Sequence, residues 1–472
     1  MKIYGYLLGL LCVNIHISAQ QVYTLEQCRQ MALGNNKSAA IAAAKEQKTG
    51  YDAKAYYANF FPKITASGMY LYTNSGTNYT LKGNYLPTFT PDLSTGQLQP
   101  NLLTMPDGTP ITGADGSPVF REYAYFPDMS LDVKMNGTYF AGIRAEQPLY
   151  AGGKIASAYR MSRIGQDIAK LNTALTRNEI IVETDEAYWQ HVKALESQKA
   201  AQAFSAVVNE LLRNVENAVS AGMKTRNDAL KVQVQVNRAE LQLQQAANAI
   251  RLSRMNLCRV IGLPVTAEIA VETLDNGTNS ISQPLAPDLI YSSRPEYAIL
   301  EKQIELKNQQ VKLVRSDFLP NVGLMANYGY MRGPELNGSP LVDRASFAAL
   351  LTVSIPVFHW GEGWNRIRAA KAEKQIMQLQ RDDLNEKMTL ELQQALDRCA
   401  ESAAEVRLTA RALEQAEENL RASRDHYEAG METLADYLEA QTLWQQAWLD
   451  NINAIIKQRL NDTYRQRAAG EL

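Results

Sequence analysis

Beyond its first two dozen positions the 472-residue chain has no run of about 18 to 20 apolar residues. No helix of the mature chain is therefore built to cross a bilayer, and any passage through a membrane has to be made by strands closed into a barrel. Cysteine is scarce: apart from Cys12 there are only Cys28, Cys258 and Cys399, far apart and odd in number. That excludes a disulfide framework and a zinc spacing, and three free thiols packed in helices are expected. The four histidines are equally scattered. Charge of one sign is also missing. The formal net charge is −2 with acids and bases interspersed, so there is no basic footprint for nucleic acid. No Gly-rich phosphate loop and no His-Glu-x-x-His occurs, and Gly361-Glu362-Gly363 lacks the strand-loop-helix setting of a nucleotide site. Neither an enzyme nor a cofactor is expected. Aromatic residues make up only 8% of the chain, whereas Ala, Gln, Leu, Glu and Arg abound, a composition of long helices rather than several compact domains.

The N-terminus carries Lys2, an apolar run from Ile3 to Val13 and the polar exit Ile17-Ser18-Ala19, the pattern of a secretory signal peptide over 1–19. Leu11 before Cys12 and Gln27 before Cys28 are not the small residue that lipoprotein processing requires.

Self-similarity is the most informative feature. Asn59-Phe60-Phe61-Pro62-Lys63-Ile64 returns as Asp317-Phe318-Leu319-Pro320-Asn321-Val322, and Asn36-Lys37-Ser38 lies over Arg294-Pro295-Glu296, both at an offset of 258. Gln147-Pro148-Leu149-Tyr150 returns as Ile355-Pro356-Val357-Phe358, and Ser220-Ala221-Gly222-Met223 as Glu428-Ala429-Gly430-Met431, both at an offset of 208. Two copies of one unit follow, 20–262 and 294–472, joined by a linker at 263–293. The difference of 50 residues is an insertion in the first copy between Ile64 and Gln147. Thr73 to Gly137, rich in Asn, Thr, Gly, Pro and Tyr and containing Asp107-Gly108 and Asp115-Gly116, reads as a long surface loop over 74–137.

Each copy reads as helix, strand, loop, strand, long helix, tight turn, helix. Residues 166–221 and 365–429 contain no Pro, and Gly is absent from both, so each forms a rod of roughly 85 to 100 Å. The returning helices span 223–261 and 431–469, and Gly222 and Gly430 mark the hairpin tips. Val232-Gln233-Val234-Gln235-Val236 alternates like a strand, but its counterpart Ala440–Trp444 lies in a helical pattern, so both are read as helical.

Strands are expected near 63–73, 138–149, 321–331 and 346–357. Ile64, Ala66, Gly68, Tyr70 and Tyr72 superpose on Val322, Leu324, Ala326, Tyr328 and Tyr330, an apolar face ending in paired tyrosines. This suits a lipid-facing strand reaching an aromatic girdle, with Tyr70, Tyr72, Tyr328 and Tyr330 at the membrane edge. In the second strands Tyr139, Ala141, Ile143 and Ala145 superpose on Phe347, Ala349, Leu351 and Val353, while Arg144 and Glu146 fall on the other face, suited to a wet lumen. Four strands cannot close a membrane barrel, since the smallest has about eight, so the barrel has to be shared among chains.

Gln147-Pro148-Leu149-Tyr150-Ala151-Gly152-Gly153, the Phe-x-Pro starts at Phe60 and Phe318, the tips Ala221-Gly222 with Asp228 and Ala429-Gly430 with Asp436, and the opening Tyr23–Leu33 together resemble the TolC outer-membrane efflux family. The resemblance spans essentially the whole mature chain. It implies a mainly α fold with a membrane β-barrel: a homotrimer with four strands per chain in a 12-stranded outer-membrane barrel, above a long periplasmic helical barrel. It further implies an equatorial belt, here Gly262 to Ser293 with the C-terminal end, and docking of a periplasmic adaptor and an inner-membrane pump at the tips. The cargo class, whether drugs, metal ions or proteins, stays open.

Carried over by position, Tyr427 matches the family's tip tyrosine, Asp228 the aspartate it bonds, and Asp436 with Glu439 the acids that ring the narrowest point. Glu432 departs from the pattern, standing where a member has a gating arginine; Lys224 and Arg226 on the facing tip are the cations left to lock the closed state with inverted charge. The rival function class is a structural or adhesive coiled coil on the cell surface. It shares the long helices but has no need of paired amphipathic strands with matched tyrosines.

Overall fold

The computed structural model describes residues 22–274 and 293–472. The signal-peptide region at 1–19 and most of the 263–293 linker lie outside the described residues. The chain divides into two compact units, a helical one drawn from 1–57, 156–314 and 361–472, and a strand unit from 58–155 and 315–360.

In the helical unit, α1 (Leu25–Asn35) starts at a reciprocal cap in which Thr24 Oγ1 accepts from Gln27 N at 3.2 Å and Gln27 Oε1 accepts from Thr24 N at 3.1 Å. It continues into α2 (Lys37–Tyr57). The rods follow: α3 (Lys154–Ser220) and α4 (Arg226–Ile261) in the first copy, then α5 (Pro295–Ser316), α6 (Glu362–Glu428) and α7 (Leu434–Ala469) in the second. Both long helices have 67 residues and both returning helices 36, so the duplication is repeated residue for residue in three dimensions. At 1.5 Å per residue each long helix measures about 100 Å. Helix α3 begins at Lys154 and runs through Gly165, whose Cα faces open space, so this residue costs its helix backbone entropy but no packing. The Val232–Val236 segment is helical: Val232 and Val236, four apart, are buried while Val234 between them is 57% exposed.

The largest core cluster gathers Cys28 and Ala32 of α1, Tyr188 and Val192 of α3, Leu257 and Ile261 of α4, and Ile452 and Ile456 of α7. Within the same unit Asp185 is completely buried; it accepts from Arg29 Nε and Nη2 at 2.7 and 2.5 Å and from Thr463 Oγ1 at 2.6 Å. A carboxylate taken out of water needs this full set of donors. Cys28, Cys258 and Cys399 are buried free thiols, and burial pushes the Cys28 thiol up to about 12, which leaves it protonated and unreactive. A short parallel pair, β1 (Val22–Tyr23) with β10 (Ala270–Val271), ties the start of the described chain to the residues after α4.

The strand unit is built on a four-stranded antiparallel sheet with the order β14-β11-β9-β2, where β2 is Lys63–Leu71, β9 Thr138–Ala151, β11 Asn321–Arg332 and β14 Asp343–Ser354. The strand read at 346–357 starts and stops three residues earlier, because Pro356 has no N–H for a ladder. Pro148 falls inside β9, where a register shift between Val322 and Gly323 of β11 accommodates it. The pairing puts Ile64 beside Ala145, Tyr70 beside Tyr139, and Tyr328 beside both Ile143 and Phe347 on one face; Thr65, Arg144 and Asn327 line up on the other. The outer edges of β2 and β14 have no strand partner among the described residues.

The insertion is not a loop. Leu71 pairs with Thr138, and after one residue of slip the same two segments continue as β3 (Gly76–Leu81) against β8 (Met129–Lys134) and β4 (Asn84–Pro87) against β7 (Tyr123–Phe126). Turn-forming residues dominate its composition, but they cluster at the far end, around β5 (Phe89–Pro91), β6 (Leu98–Pro100) and the Asp107-Gly108 and Asp115-Gly116 turns. Between them, alternating Tyr, Thr, Leu and Val favour extended chain. Tyr85 and Tyr125 face each other across this arm with ring centres 5.3 Å apart. The second copy's shorter connection joins in, since β12 (Glu335–Leu336) pairs with β8 on one side and with β13 (Ser339–Pro340) on the other.

Candidate functional site at the helix tips

Two tight turns, Ala221–Thr225 between α3 and α4 and Ala429–Thr433 between α6 and α7, end the hairpins of the helical unit. Gly222 and Gly430 take left-handed backbone, φ 75° and 73°, which a side chain would strain. The carbonyls left free at the helix ends are taken by Met223 N on Ala218 O and Met431 N on His426 O, at 2.8 and 2.9 Å.

Each returning helix then opens with the same reciprocal cap. Thr225 Oγ1 accepts from Asp228 N, and Asp228 Oδ2 accepts from Thr225 N at 3.1 Å and from its hydroxyl at 2.8 Å. Thr433 and Asp436 repeat this with 3.3 and 2.6 Å. The Thr225 hydroxyl and amide hold the Asp228 carboxyl below the usual carboxylate range. Sequence reading assigned Asp228 and Asp436 to gating and missed this role, although Thr-x-x-Asp ahead of an apolar run is a cap signal.

Tyr427 bridges the two tips. Its ring stacks on Tyr437 at 5.3 Å, and Lys224 Nζ stands 4.8 Å from its centre. No hydrogen bond joins the Tyr427 hydroxyl to Asp228 among the described residues. Burial, then the nearby Asp228 charge, raises the Tyr427 hydroxyl above its ordinary range, so it stays a neutral donor. Beneath, Leu211, Val215, Val232, Leu434 and Tyr437 form a buried cluster that fixes the turns.

The charges divide between the tips. Lys224 and Arg226 are exposed on the first; Asp436 and Glu439 are exposed on the second, where Glu432 is half-buried with Oε2 lacking a hydrogen-bond partner. Such a site offers charged surfaces of opposite sign on two neighbouring turns; no cluster suited to hold a metal ion occurs among the described residues.

In the strand unit Arg144 Nε donates to Asn327 Oδ1 at 3.0 Å and its Nη1 lies 3.7 Å from Glu146, so the two charges read for a lumen do share one face. Tyr70, Tyr72, Tyr328 and Tyr330 are exposed, and Tyr330 meets Tyr139 with ring centres 5.9 Å apart.

The model of the family described as "Outer membrane efflux protein" matches residues 122–263 and 286–461. The chain belongs to that family. It is similar to the alkaline protease secretion protein AprF of Pseudomonas aeruginosa, 25% identical over 315 residues that make up 64% of each chain. It is also similar to the proteases secretion protein PrtF of Dickeya chrysanthemi, 24% identical over 259 residues, 54% of each. The match thus spans less than two thirds of the length of these relatives. Among solved structures, the Campylobacter jejuni CmeC outer membrane channel superposes with a TM-score of 0.71 at 18% identity, covering 94% of this chain and 85% of that one. At that identity the likeness shows a shared fold. Among the described residues no helix is long and apolar enough to cross a membrane.

Proposed function

We propose that this protein is the outer-membrane duct of a tripartite efflux or type I secretion system, a passive conduit from periplasm to exterior that is gated at its helix tips. The observation that carries this reading is the four-stranded sheet with one apolar, aromatic face and one charged face and with both outer edges unpaired among the described residues. Open edges in lipid leave N–H and C=O groups unsatisfied, so β14 of one chain pairs with β2 of the next, and three chains close a 12-stranded barrel. The strand unit lies in the outer membrane and the helical unit in the periplasm. The residues read as repeats and hairpin tips take the corresponding places in that assembly, with the belt drawing on 262–274 and the C-terminal end; the rest of the linker read at 263–293 lies outside the described residues.

The tips meet an adaptor and an inner-membrane pump at Gly222 and Gly430, and the pump selects cargo. In the closed ring Asp436 and Glu439 face the axis near the narrowest point. Asp436 spends one carboxylate oxygen on its helix cap and keeps the other for the pore. Six carboxylates around an axis attract cations and resist anions. Glu432, with its unpartnered oxygen, accepts from Lys224 or Arg226 of the neighbouring chain, a lock of inverted charge.

The test is made on the purified protein in detergent and in planar bilayers. A trimeric mass and cation-selective current blocked by multivalent cations are expected. Asp436→Asn with Glu439→Gln weakens selectivity and block while the trimer persists, because Asn still accepts at the cap. A monodisperse monomer with conducting activity overturns the shared barrel; a double variant of unchanged selectivity removes these acids from the constriction.

A further inference from the structure

One row across the strand unit breaks the polar pattern of the charged face. Register pairing aligns Met69 with Phe140, Phe140 with Met331, and Met331 with Arg344, one residue from each of the four strands. Directly paired residues of an antiparallel sheet share a face. The face is the one bearing Arg144, which lies an even number of residues from Phe140 along β9.

Phe140 does not stand away from the sheet. A methyl placed on Gly329 would lie 2.7 Å from its Cε2, and one placed on Gly142 would lie 2.8 Å from its Cζ. The ring therefore lies flat over two glycines that pair with each other across β9 and β11. Phe140 is half-buried with no ring stacked on it among the described residues, and the register flanks it with Met69, 57% exposed, and Met331. Arg344 completes the row. Its exposed guanidinium has no hydrogen-bond or ion-pair partner among the described residues.

We infer that the row Met69–Phe140–Met331–Arg344 is a site in the lumen for amphipathic aromatic anions, reached from the exterior or once the tips have opened the carboxylate ring. The inference rests on the barrel proposed above, in which this face is the lumen. A half-buried ring with no ring already stacked on it stacks with arenes; methionines beside it adapt to arenes of different shape; a planar guanidinium without a partner among the described residues takes a sulfonate or carboxylate in a fork. Three chains give three such rows at one level of the lumen. A residue lying flat narrows the lumen little, so the site retards a suitable solute rather than closing the duct.

The test uses the full-length protein in planar bilayers, with naphthalene-2-sulfonate as probe and methanesulfonate as control, added to each side in turn. Naphthalene-2-sulfonate is expected to block the current of the wild-type channel at concentrations where methanesulfonate does not. Phe140→Leu and, separately, Arg344→Gln are each expected to raise the half-blocking concentration about fivefold or more, close to 1 kcal/mol, with the salt conductance unchanged within about twofold. Arg344→Gln leaves the sheet packing alone, so a loss of assembly by Phe140→Leu does not remove the test. Conducting trimers in which both variants are blocked like wild type overturn the inference. A block that depends on Arg344 alone also overturns it, since the aromatic surface then contributes nothing. A wild-type protein that forms no trimeric channel is a different failure, that of the barrel itself.

Discussion

Arg29 grips Asp185 through two hydrogen bonds of 2.7 and 2.5 Å, across 156 positions of sequence and inside a core where Asp185 is fully buried. Removing the guanidinium strands a buried charge with one hydroxyl for support, which costs about 3 to 5 kcal/mol. Arg29→Ala is therefore expected to lower the melting temperature sharply. Glu26→Ala, which removes only the exposed carboxylate 3.6 Å from the same Arg29, changes stability by less than about 1 kcal/mol. Equal melting temperatures for the two variants, followed by circular dichroism, would show that Asp185 is not held in this way.

Phe140 and its two glycines give a prediction of different rescue at each glycine. Gly329→Ala presses chiefly on the Phe140 ring, so it destabilises the assembled protein by about 1 to 3 kcal/mol. Adding Phe140→Ala restores much of that loss. At Gly142 the added methyl also meets the Gly329 Cα and the Tyr328 carbonyl at 2.9 Å, so the same second substitution does not rescue Gly142→Ala. Heat stability of the assembly on semi-native gels distinguishes the two glycines, and rescue at both would mean the backbones are not so close.

The tip cap makes the first hairpin sensitive to acid. Asp228 has a folded pKa below its unfolded value, so its contribution is complete above the ordinary carboxylate pKa of about 4 and fades as pH falls through the lower, folded value. The protection of the amides at 225–231, their exchange relative to the intrinsic rate at the same pH, is expected to fall below about pH 4, the window just under the ordinary value. Asp228→Ala, which removes the acceptor that an asparagine would keep, should lower protection there at neutral pH already and flatten its pH dependence. Protection measured by mass spectrometry that stays flat for the wild type from neutral pH to about pH 2.5, after correction for the intrinsic rate, would show that the cap is not what holds the turn.

Lys224 above the Tyr427 ring is an exposed cation–π contact worth about 0.5 to 1 kcal/mol per chain. If it helps hold the tips together, Lys224→Ala raises the open probability in bilayer recordings several-fold. Tyr427→Phe keeps the ring and its stack on Tyr437 and has the smaller effect. Should Tyr427→Phe open the channel and Lys224→Ala leave it closed, the hydroxyl rather than the ring face is the latch.

The proposed topology puts the β-arm outside the cell. A tag inserted beside Gly108, in a turn with open space around its Cα, is expected to bind antibody on intact cells, and one beside Gly430 only after permeabilisation. The reverse pattern of labelling inverts the barrel.

Much of the helical unit was legible because its signals are local. Pro-free stretches, a glycine at each turn and a second copy 208 residues later define two equal hairpins without reference to any distant contact, and the repeat corrected the strand-like Val232–Val236 segment. The caps at Thr225 and Thr433 were equally local and could have been read. The arm was misread because composition reports how many turn residues a segment has and not where they sit. Gly165 inside α3 hid twelve residues of helix for a related reason: an isolated glycine is tolerated where nothing packs against it.

What the sequence determined by itself, then, is the set of elements, their order and their duplication, together with which strand positions alternate in polarity; these follow from hydrogen bonding and side-chain period over a few residues. What the tertiary structure alone decided is which residues meet. Asp185 takes Thr463 from 278 positions away, Tyr427 lies between Lys224 and Tyr437, and Phe140 covers a glycine on another strand. Contacts of that kind depend on register and on the packing of whole helices, where a shift of one residue turns every side chain to the other face of a strand, and no local pattern carries that information.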